Sequence, residues 1–274
     1  MLAFLYHTTF GRLILKLLCK PQISILCGRF LDTKASLFLI KPFVRKNHID
    51  LSQYESGFTC FNDCFCRKIK PGLRTFPAEE NALGSPCDGL LSVYRINDMT
   101  VLPVKQSRYT IPSLLNDEQL AGMFTDGLCL VFRLCVDHYH RYSYFDSGTK
   151  GENIHIPGIL HTVRPIALEQ FPVFVRNSRE YTVLHTDHFK TAVQMEVGAL
   201  LVGKIHNLHG AHAFKRGEEK GCFLYGGSTV IVLLQKDAVK LSDTMQKVVG
   251  TGEEVPVKMG ETLGSQPERQ RDTT

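Results

Sequence analysis

The sequence predicts an α+β fold, with a helical, basic N-terminal region followed by a largely antiparallel β-sandwich or open barrel. Three observations carry that expectation. Within the first 49 residues eight lysines and arginines stand against the single acid Asp32, although the 274-residue chain has a formal net charge of only +5. From Gly89 onward the apolar residues fall into short, β-branched runs separated by turn residues, where before they recur at helical spacing. A hydrophobic share of 43% with 22% charged residues suffices for a packed core and excludes a chain disordered throughout.

The elements follow in order. Gly11–Lys20 reads as a short amphipathic helix, because at about 100° per residue Arg12, Lys16 and Lys20 share one arc and Leu13, Ile14, Leu17 and Leu18 another. Pro21 ends or kinks it, and Cys27–Val44 continues the helical region. The charge-free stretches Met1–Phe10 and Pro21–Gly28 fall short of the roughly 20 residues that a membrane span needs. No small-residue cleavage site follows an uninterrupted apolar run, so no secretory signal is expected. A basic amphipathic helix suits a membrane surface, each Lys or Arg near an anionic leaflet contributing about 1 kcal/mol. The same pattern also fits a helix packed on its own domain.

Phe58–Lys70 fits a further helix ended by Pro71-Gly72. Leu90–Ile96, Leu128–Val136, Tyr181–Leu184, Ala192–Val197, Ala199–Ile205 and Thr229–Leu234 are the expected strands, with one helix, Thr110–Leu120, among them. Beyond Gly260 a polar, disordered tail is expected. The chain thus divides into a membrane-associating region (1–49), a catalytic body (50–259) and a tail (260–274).

Nine cysteines, an odd number without a secretory signal, predict reduced thiols. Cys60, Cys64 and Cys66 cluster without a second ligand pair at zinc spacing, so they read as buried thiols. His206, His209 and His212 recur in three-residue steps, but Gly210 marks a loop there, and no metal is expected. The body lacks the basic excess of a nucleic-acid binder.

The segment richest in chemistry is Tyr225-Gly226-Gly227-Ser228-Thr229, leading into an apolar strand. Two glycines permit unusual backbone geometry just before a hydroxyl. If the Gly227 carbonyl is presented to it, the Ser228 hydroxyl can attack and form an ester by N-to-O acyl shift. Elimination and hydrolysis then leave a pyruvoyl group. The same tetrapeptide is also an ordinary hairpin-turn composition. Three other segments bear on the choice: Phe61–Gly72, then Ser85-Pro86-Cys87-Asp88-Gly89, then Asp137-His138-Tyr139-His140-Arg141-Tyr142.

Taken together and in this order, these segments resemble the phosphatidylserine decarboxylase family. That family shows F-N-x-F-F-x-R-x-[IL]-K-P-G, then S-P-x-D-G, D-Y-H-R-x-H, G-[AS]-x-x-V-G and a [GL]-G-S-[ST] processing site. The fourth element is Gly198–Gly203 here, and the resemblance runs from about Phe61 to Val239. It implies a proenzyme that cuts itself between Gly227 and Ser228 into β and α chains. The α chain would carry a pyruvoyl group derived from Ser228, with no diffusible cofactor. A Schiff base between that group and phosphatidylserine would lead to loss of CO₂ and release of phosphatidylethanolamine, the reaction of a carboxy-lyase.

By the same resemblance Asp88 belongs to self-processing and His140 to acid–base work during decarboxylation. Two positions depart from the family. His138 replaces the Asp before Tyr-His-Arg, and Ser143 replaces the second histidine of the motif, which serves as processing base. His161 is the expected replacement base. Arg141 and Arg164 are expected to meet a substrate phosphate or carboxylate by bidentate contacts. The expected setting is peripheral, on the cytoplasmic face of an anionic cell membrane, and a homodimer is allowed. The rival readings are a pyruvoyl decarboxylase of another amino-acid head group or amine, and an uncleaved, silent lipid-binding scaffold.

Overall fold

The computed structural model describes residues 2–97, 102–104, 107–168, 171–200, 204–224 and 228–268. Its N-terminal region is helical, as expected, with different breaks. Helix α1 (Leu2–His7) meets α2 (Thr9–Leu18) at Thr8, whose hydroxyl accepts from the Gly11 N–H at 2.9 Å and caps α2. A Cβ at Gly11 would collide with the Phe4 carbonyl, so only glycine lets the two helices close. Helix α2 ends before Pro21, as expected, and Pro21 then opens α3 (Pro21–Leu31), since the first turn of a helix has no use for the missing N–H. Helix α4 spans Ile40–Lys46.

Two expected helices are shorter than the sequence suggested. Within Phe58–Lys70 only α5 (Phe61–Phe65) is helical, because Lys68–Lys70 is extended and bonds back to Gln53–Glu55. Thr110–Leu120 splits into Ile111–Leu115 and Glu118–Gly122. Asn116 takes a left-handed conformation (φ 53°) between them and Asp117 caps the second.

The body is built on a nine-stranded sheet. Its strands are β1 (Gly89–Arg95), β2 (Leu128–Leu134), β3 (Gly148–Lys150), β4 (Ile154–Ile156), β5 (Arg179–Thr186), β6 (Thr191–Val197), β7 (His212–Phe214), β8 (Ser228–Leu234) and β9 (Val255–Val257). They lie in the order β7-β3-β5-β6-β8-β2-β1-β9, with β4 beside β5 and every ladder antiparallel. All seven residues of β8 are buried, which is why it reads as a continuous apolar run. A three-stranded sheet of Lys204–Asn207, Glu219–Leu224 and Arg141–Ser143 covers one face. The architecture is the expected α+β layering, open rather than closed.

A second small sheet corrects the expected tail. Thr262–Ser265 is its middle strand, between Ala82–Gly84 and Lys240–Leu241, and Leu263 is fully buried. The body therefore extends past Gly260, and residues 269–274 lie outside the described residues.

One interaction locks the covering sheet to the central one. Lys220 and Glu196 have no exposed surface, and the Lys220 Nζ lies 2.8 and 2.7 Å from the two Glu196 oxygens. The same ammonium donates to Asn207 Oδ1 at 2.8 Å, and the Asn207 amide donates to Glu180 Oε1 at 2.6 Å. Burial pushes the lysine down and the glutamate up, and each partner opposes that shift in the other. Removing one partner leaves a buried, uncompensated charge. Lys220→Met is expected to lower unfolding stability by about 3–5 kcal/mol in urea titrations, with Lys220→Met/Glu196→Gln recovering most of it. A single-variant loss below about 1 kcal/mol contradicts the clamp.

Candidate active site

Strand register gathers the motifs at one end of the central sheet. Ser228 pairs with Leu134 of β2, and the next pair on the other side, Thr229 with Val197, brings Gly198 alongside Ser228. Leu90 pairs with Arg133, so Gly89 falls beside Leu134. Gly89, Leu134, Ser228 and Gly198 thus form a row across four strands, with Asp88 just before Gly89.

Side-chain alternation then aims Ser228. It shares a face with Val230, and Val230 pairs directly with Glu196, so all three point to the same side. That side carries the covering sheet, which Glu196 reaches through Lys220 and Gln194 through the Ser143 carbonyl at 3.5 Å. Ser228 therefore faces the interlayer gap. It is fully buried, and its Oγ meets no hydrogen-bond partner among the described residues. A buried hydroxyl without a partner is uncommon and requires a reason. Gly227, the expected cleavage position, and Gly203 of the fourth motif lie outside the described residues.

The covering sheet brings His140 and its neighbours to the same end. The Ser143 N–H donates to the Pro86 carbonyl at 2.9 Å, two residues before Asp88, and the Phe223 N–H donates to the His140 carbonyl at 3.0 Å. His140 is fully buried, its ring centroid 4.2 Å from that of Phe65. Its Nδ1 lies 3.0 Å from the His138 carbonyl, which can only accept. The proton is accordingly on Nδ1, and Nε2 is the basic nitrogen.

Asp88 is held on three bonds. Arg74 grips it bidentately, Nε to Oδ1 at 2.9 Å and an Nη to Oδ2 at 2.8 Å, and the Met259 N–H donates to Oδ1 at 2.8 Å. Ser143 is a neighbour through the same residue, its hydroxyl 3.5 Å from the Met259 sulfur. Where the family pattern has an imidazole, this site has a small hydroxyl and a thioether.

Two residues of this surround escaped the sequence reading. Arg74 sits just past the Lys70-Pro71-Gly72 turn, where Gly72 takes φ 84°, and that turn delivers it to Asp88. Arg67, inside the first motif, is 1% exposed and donates to the carbonyls of Asp137 and His138 at 2.7 and 3.0 Å. It thereby fixes the chain just ahead of His140. An arginine among apolar residues in Phe61–Gly72 was the available signal, but nothing in the sequence names its partner.

The other expected residues fall elsewhere. The Arg141 guanidinium is taken by the Cys66 carbonyl at 2.8 Å and by Glu219 at 2.5 Å. Arg164 is exposed, just before the short helix Pro165–Leu168. His161 packs against the N-terminal helices. Its Nδ1 meets the Tyr6 hydroxyl at 3.2 Å and the Cys19 thiol at 3.5 Å, while the Tyr6 oxygen accepts from the Thr162 N–H. It touches the row of strand ends through its backbone, since the Asn177 amide donates to both the His161 and Gly198 carbonyls, at 2.8 and 2.7 Å.

Comparison with known proteins agrees with the resemblance. The family profile described as phosphatidylserine decarboxylase matches residues 61–265. The chain is 44% identical to phosphatidylserine decarboxylase proenzyme 2 of Clostridium acetobutylicum, over 96% of this chain and 91% of that one. It is 41% identical to the phosphatidylserine decarboxylase proenzyme of Ruminiclostridium cellulolyticum, over 95% and 89%. With that of Clostridium botulinum it shares 38% identity, over 95% and 90%.

The His161 contacts carry a pH dependence. Burial first, and Arg176 second, push the imidazole from its ordinary 6.5 down to about 4. It is neutral when the helices are docked and protonates below about 6.5 once released. Docking is thus strongest above that pH and weakens as the pH falls toward 4. Rate-corrected hydrogen exchange of α1 and α2 should report a loss of about 2 kcal/mol between pH 6.5 and 4.5. His161→Asn should flatten the slope, and an unchanged slope in that variant contradicts the assignment.

Proposed function

The chain belongs to the phosphatidylserine decarboxylase family, and from that premise we propose how its own residues perform the reaction. It is a carboxy-lyase of phospholipid synthesis that converts phosphatidylserine to phosphatidylethanolamine and CO₂. The observation that carries the proposal is the buried Ser228 hydroxyl, partnerless among the described residues, at the head of β8 and directly after Gly226-Gly227.

In self-processing, Ser228 Oγ attacks the Gly227 carbonyl and the Gly227–Ser228 peptide bond breaks as an ester forms. β-Elimination returns that oxygen with the carboxylate of Gly227. Addition of one water to the remaining dehydroalanine expels ammonia and leaves a ketone at residue 228. The β chain is then 1–227 and the α chain starts at 228. The environment fits such a group, because it buries the head of β8 away from water in the interlayer gap.

When present, the pyruvoyl group supplies an electrophilic carbonyl that captures the substrate amine and accepts the electrons freed as CO₂ departs. His140 manages the proton, its Nδ1 donating to the His138 carbonyl while Nε2 exchanges a proton with the reacting carbon. Asp88, pinned by Arg74 and the Met259 N–H, serves as the fixed negative charge of the processing step. With Ser143 in the imidazole's place, cleavage is expected to be slower than in a triad by about 10²–10⁴-fold. That is tolerable for an event that each chain undergoes once. His161, the expected replacement base, turns its Nδ1 to Tyr6 and Cys19, and its links toward Gly198 run through its backbone carbonyl. Arg164, from its exposed position, is the proposed contact for the lipid's phosphate or carboxylate, whereas the Arg141 guanidinium is already held by Glu219 and the Cys66 carbonyl.

The N-terminal region is the proposed anchor. No helix among the described residues is long and apolar enough to cross a membrane. Phe10, Leu13, Leu17, Leu26 and Phe38 are nevertheless 52–68% exposed, interspersed with the exposed cations Arg12, Lys16, Lys20 and Lys34. Such a face lies in the plane of an anionic leaflet, here proposed as the cytoplasmic one, and explains how a peripheral enzyme reaches a lipid substrate. Binding to phosphatidylserine vesicles should weaken as salt rises and fall sharply in a Leu13→Ser/Leu17→Ser variant. Equal binding by that variant contradicts the anchor.

The reaction itself is tested with phosphatidylserine vesicles labelled in the carboxyl carbon. The native chain should release labelled CO₂ and form phosphatidylethanolamine. Ser228→Ala should remain one polypeptide and release none. Turnover by an uncut Ser228→Ala chain would sink the proposal.

A further inference from the structure

We propose that His209, His212 and Glu218 form a binding site for a divalent transition-metal ion, with zinc the ion that its donors suit. Sequence spacing grouped His209 and His212 with His206. The fold leaves His206 exposed on the strand Lys204–Asn207 and supplies a carboxylate instead. Glu218 Oε1 lies 2.7 Å from His212 Nε2 and 3.6 Å from His209 Nε2. The two imidazoles stack with centroids 4.1 Å apart and planes 11° from parallel. The three ligand atoms all lie within 4.8 Å of one another.

The surround is built to hold these groups. Glu218 Oε2 accepts from the Lys215 N–H at 2.9 Å, leaving Oε1 turned toward the histidines. The Tyr144 hydroxyl lies 3.3 Å from His209 Nδ1, the outer partner that a ligating histidine needs. Lys150 presses its ammonium on the same turn, donating to the carbonyls of Gly151, His209 and Gly210. Its charge opposes a cation. The Glu152 carboxylate, which accepts from the Ala211 N–H at 3.1 Å, offsets it.

Two imidazoles and one carboxylate are the donor set of three-ligand zinc sites, with a solvent molecule in the fourth position. The set lacks the all-oxygen shell that calcium and magnesium select and the thiolates that copper(I) selects. Zinc with bonds of about 2.0–2.2 Å needs donors roughly 3.3–3.5 Å apart. His212 and Glu218 would open by several tenths of an ångström, and one of the two stacked rings would turn about its Cβ–Cγ bond so that both in-plane nitrogen lone pairs meet at the ion. The proton on His212 Nε2 shifts to its Nδ1, and His209 Nδ1–H donates to the Tyr144 oxygen. The side chains are 26–33% exposed, so an ion can enter from solvent. Once bound it would tie the 209–212 turn to Glu218, immediately before the strand Glu219–Leu224.

The test uses the full chain, made without a histidine tag and stripped with chelator. Calorimetric titration with Zn²⁺ should give one ion per chain. His212→Ala and Glu218→Gln should weaken binding at least about tenfold. Cys135→Ser should leave it unchanged, which separates the site from the other His-containing cluster among the described residues, Cys135, Asp137 and His138. Co²⁺ bound to the native chain should show ligand-field bands without a thiolate charge-transfer band, a readout that needs no variant. No saturable Zn²⁺ binding, full affinity in His209→Ala/His212→Ala, or a thiolate band would each overturn the proposal.

Discussion

Lys220 and Glu196 have no exposed surface, and the two sheets that they join enclose the gap that Ser228 faces. Burying both charges costs several kcal/mol each, which only close pairing and full hydrogen bonding offset. The pair thereby tolerates little freedom in how the covering sheet seats on the central one. Glu196 is two residues from Gly198, at the end of the sheet where Ser228 and Asp88 converge. The covering sheet that Lys220 belongs to also carries His140. This buried ion pair therefore fixes how the two layers seat around Ser228, Asp88 and His140.

Much of this was legible beforehand. The change from helical to alternating patterning placed the N-terminal helices and the body. The ordered motifs picked out Asp88, His140 and Ser228, which the register then brings to one sheet end. What the sequence hid were long-range pairings. Arg74 and Arg67 look like ordinary basic residues until their carboxylate and carbonyl partners are seen. Thr262–Ser265 is too short and polar to read as a strand, yet it completes a small sheet with segments some 20 and 180 residues earlier. Pro21 marked the break after α2, and the same proline opens α3.

The surroundings of Ser143 are equally defined. Ser143 keeps its place beside the Ser85–Gly89 turn through its backbone bond to Pro86, and Met259 lies against its hydroxyl. Asp88 is left facing a guanidinium rather than a histidine. Arg74 and the Met259 N–H hold the carboxylate in place. Among the described bonds His161 meets the same strand ends through its backbone, by way of Asn177 and the Leu200 N–H, while its ring pins α1 and α2 on the body.

The most direct examination is an intact-mass spectrum of the freshly purified chain, before and after treatment with hydroxylamine. The account requires two polypeptides divided between residues 227 and 228, the shorter one blocked at its start by a ketone that the reagent converts to an oxime. A single unbroken mass in material that decarboxylates phosphatidylserine, or a shorter piece that begins with an intact serine, would contradict it.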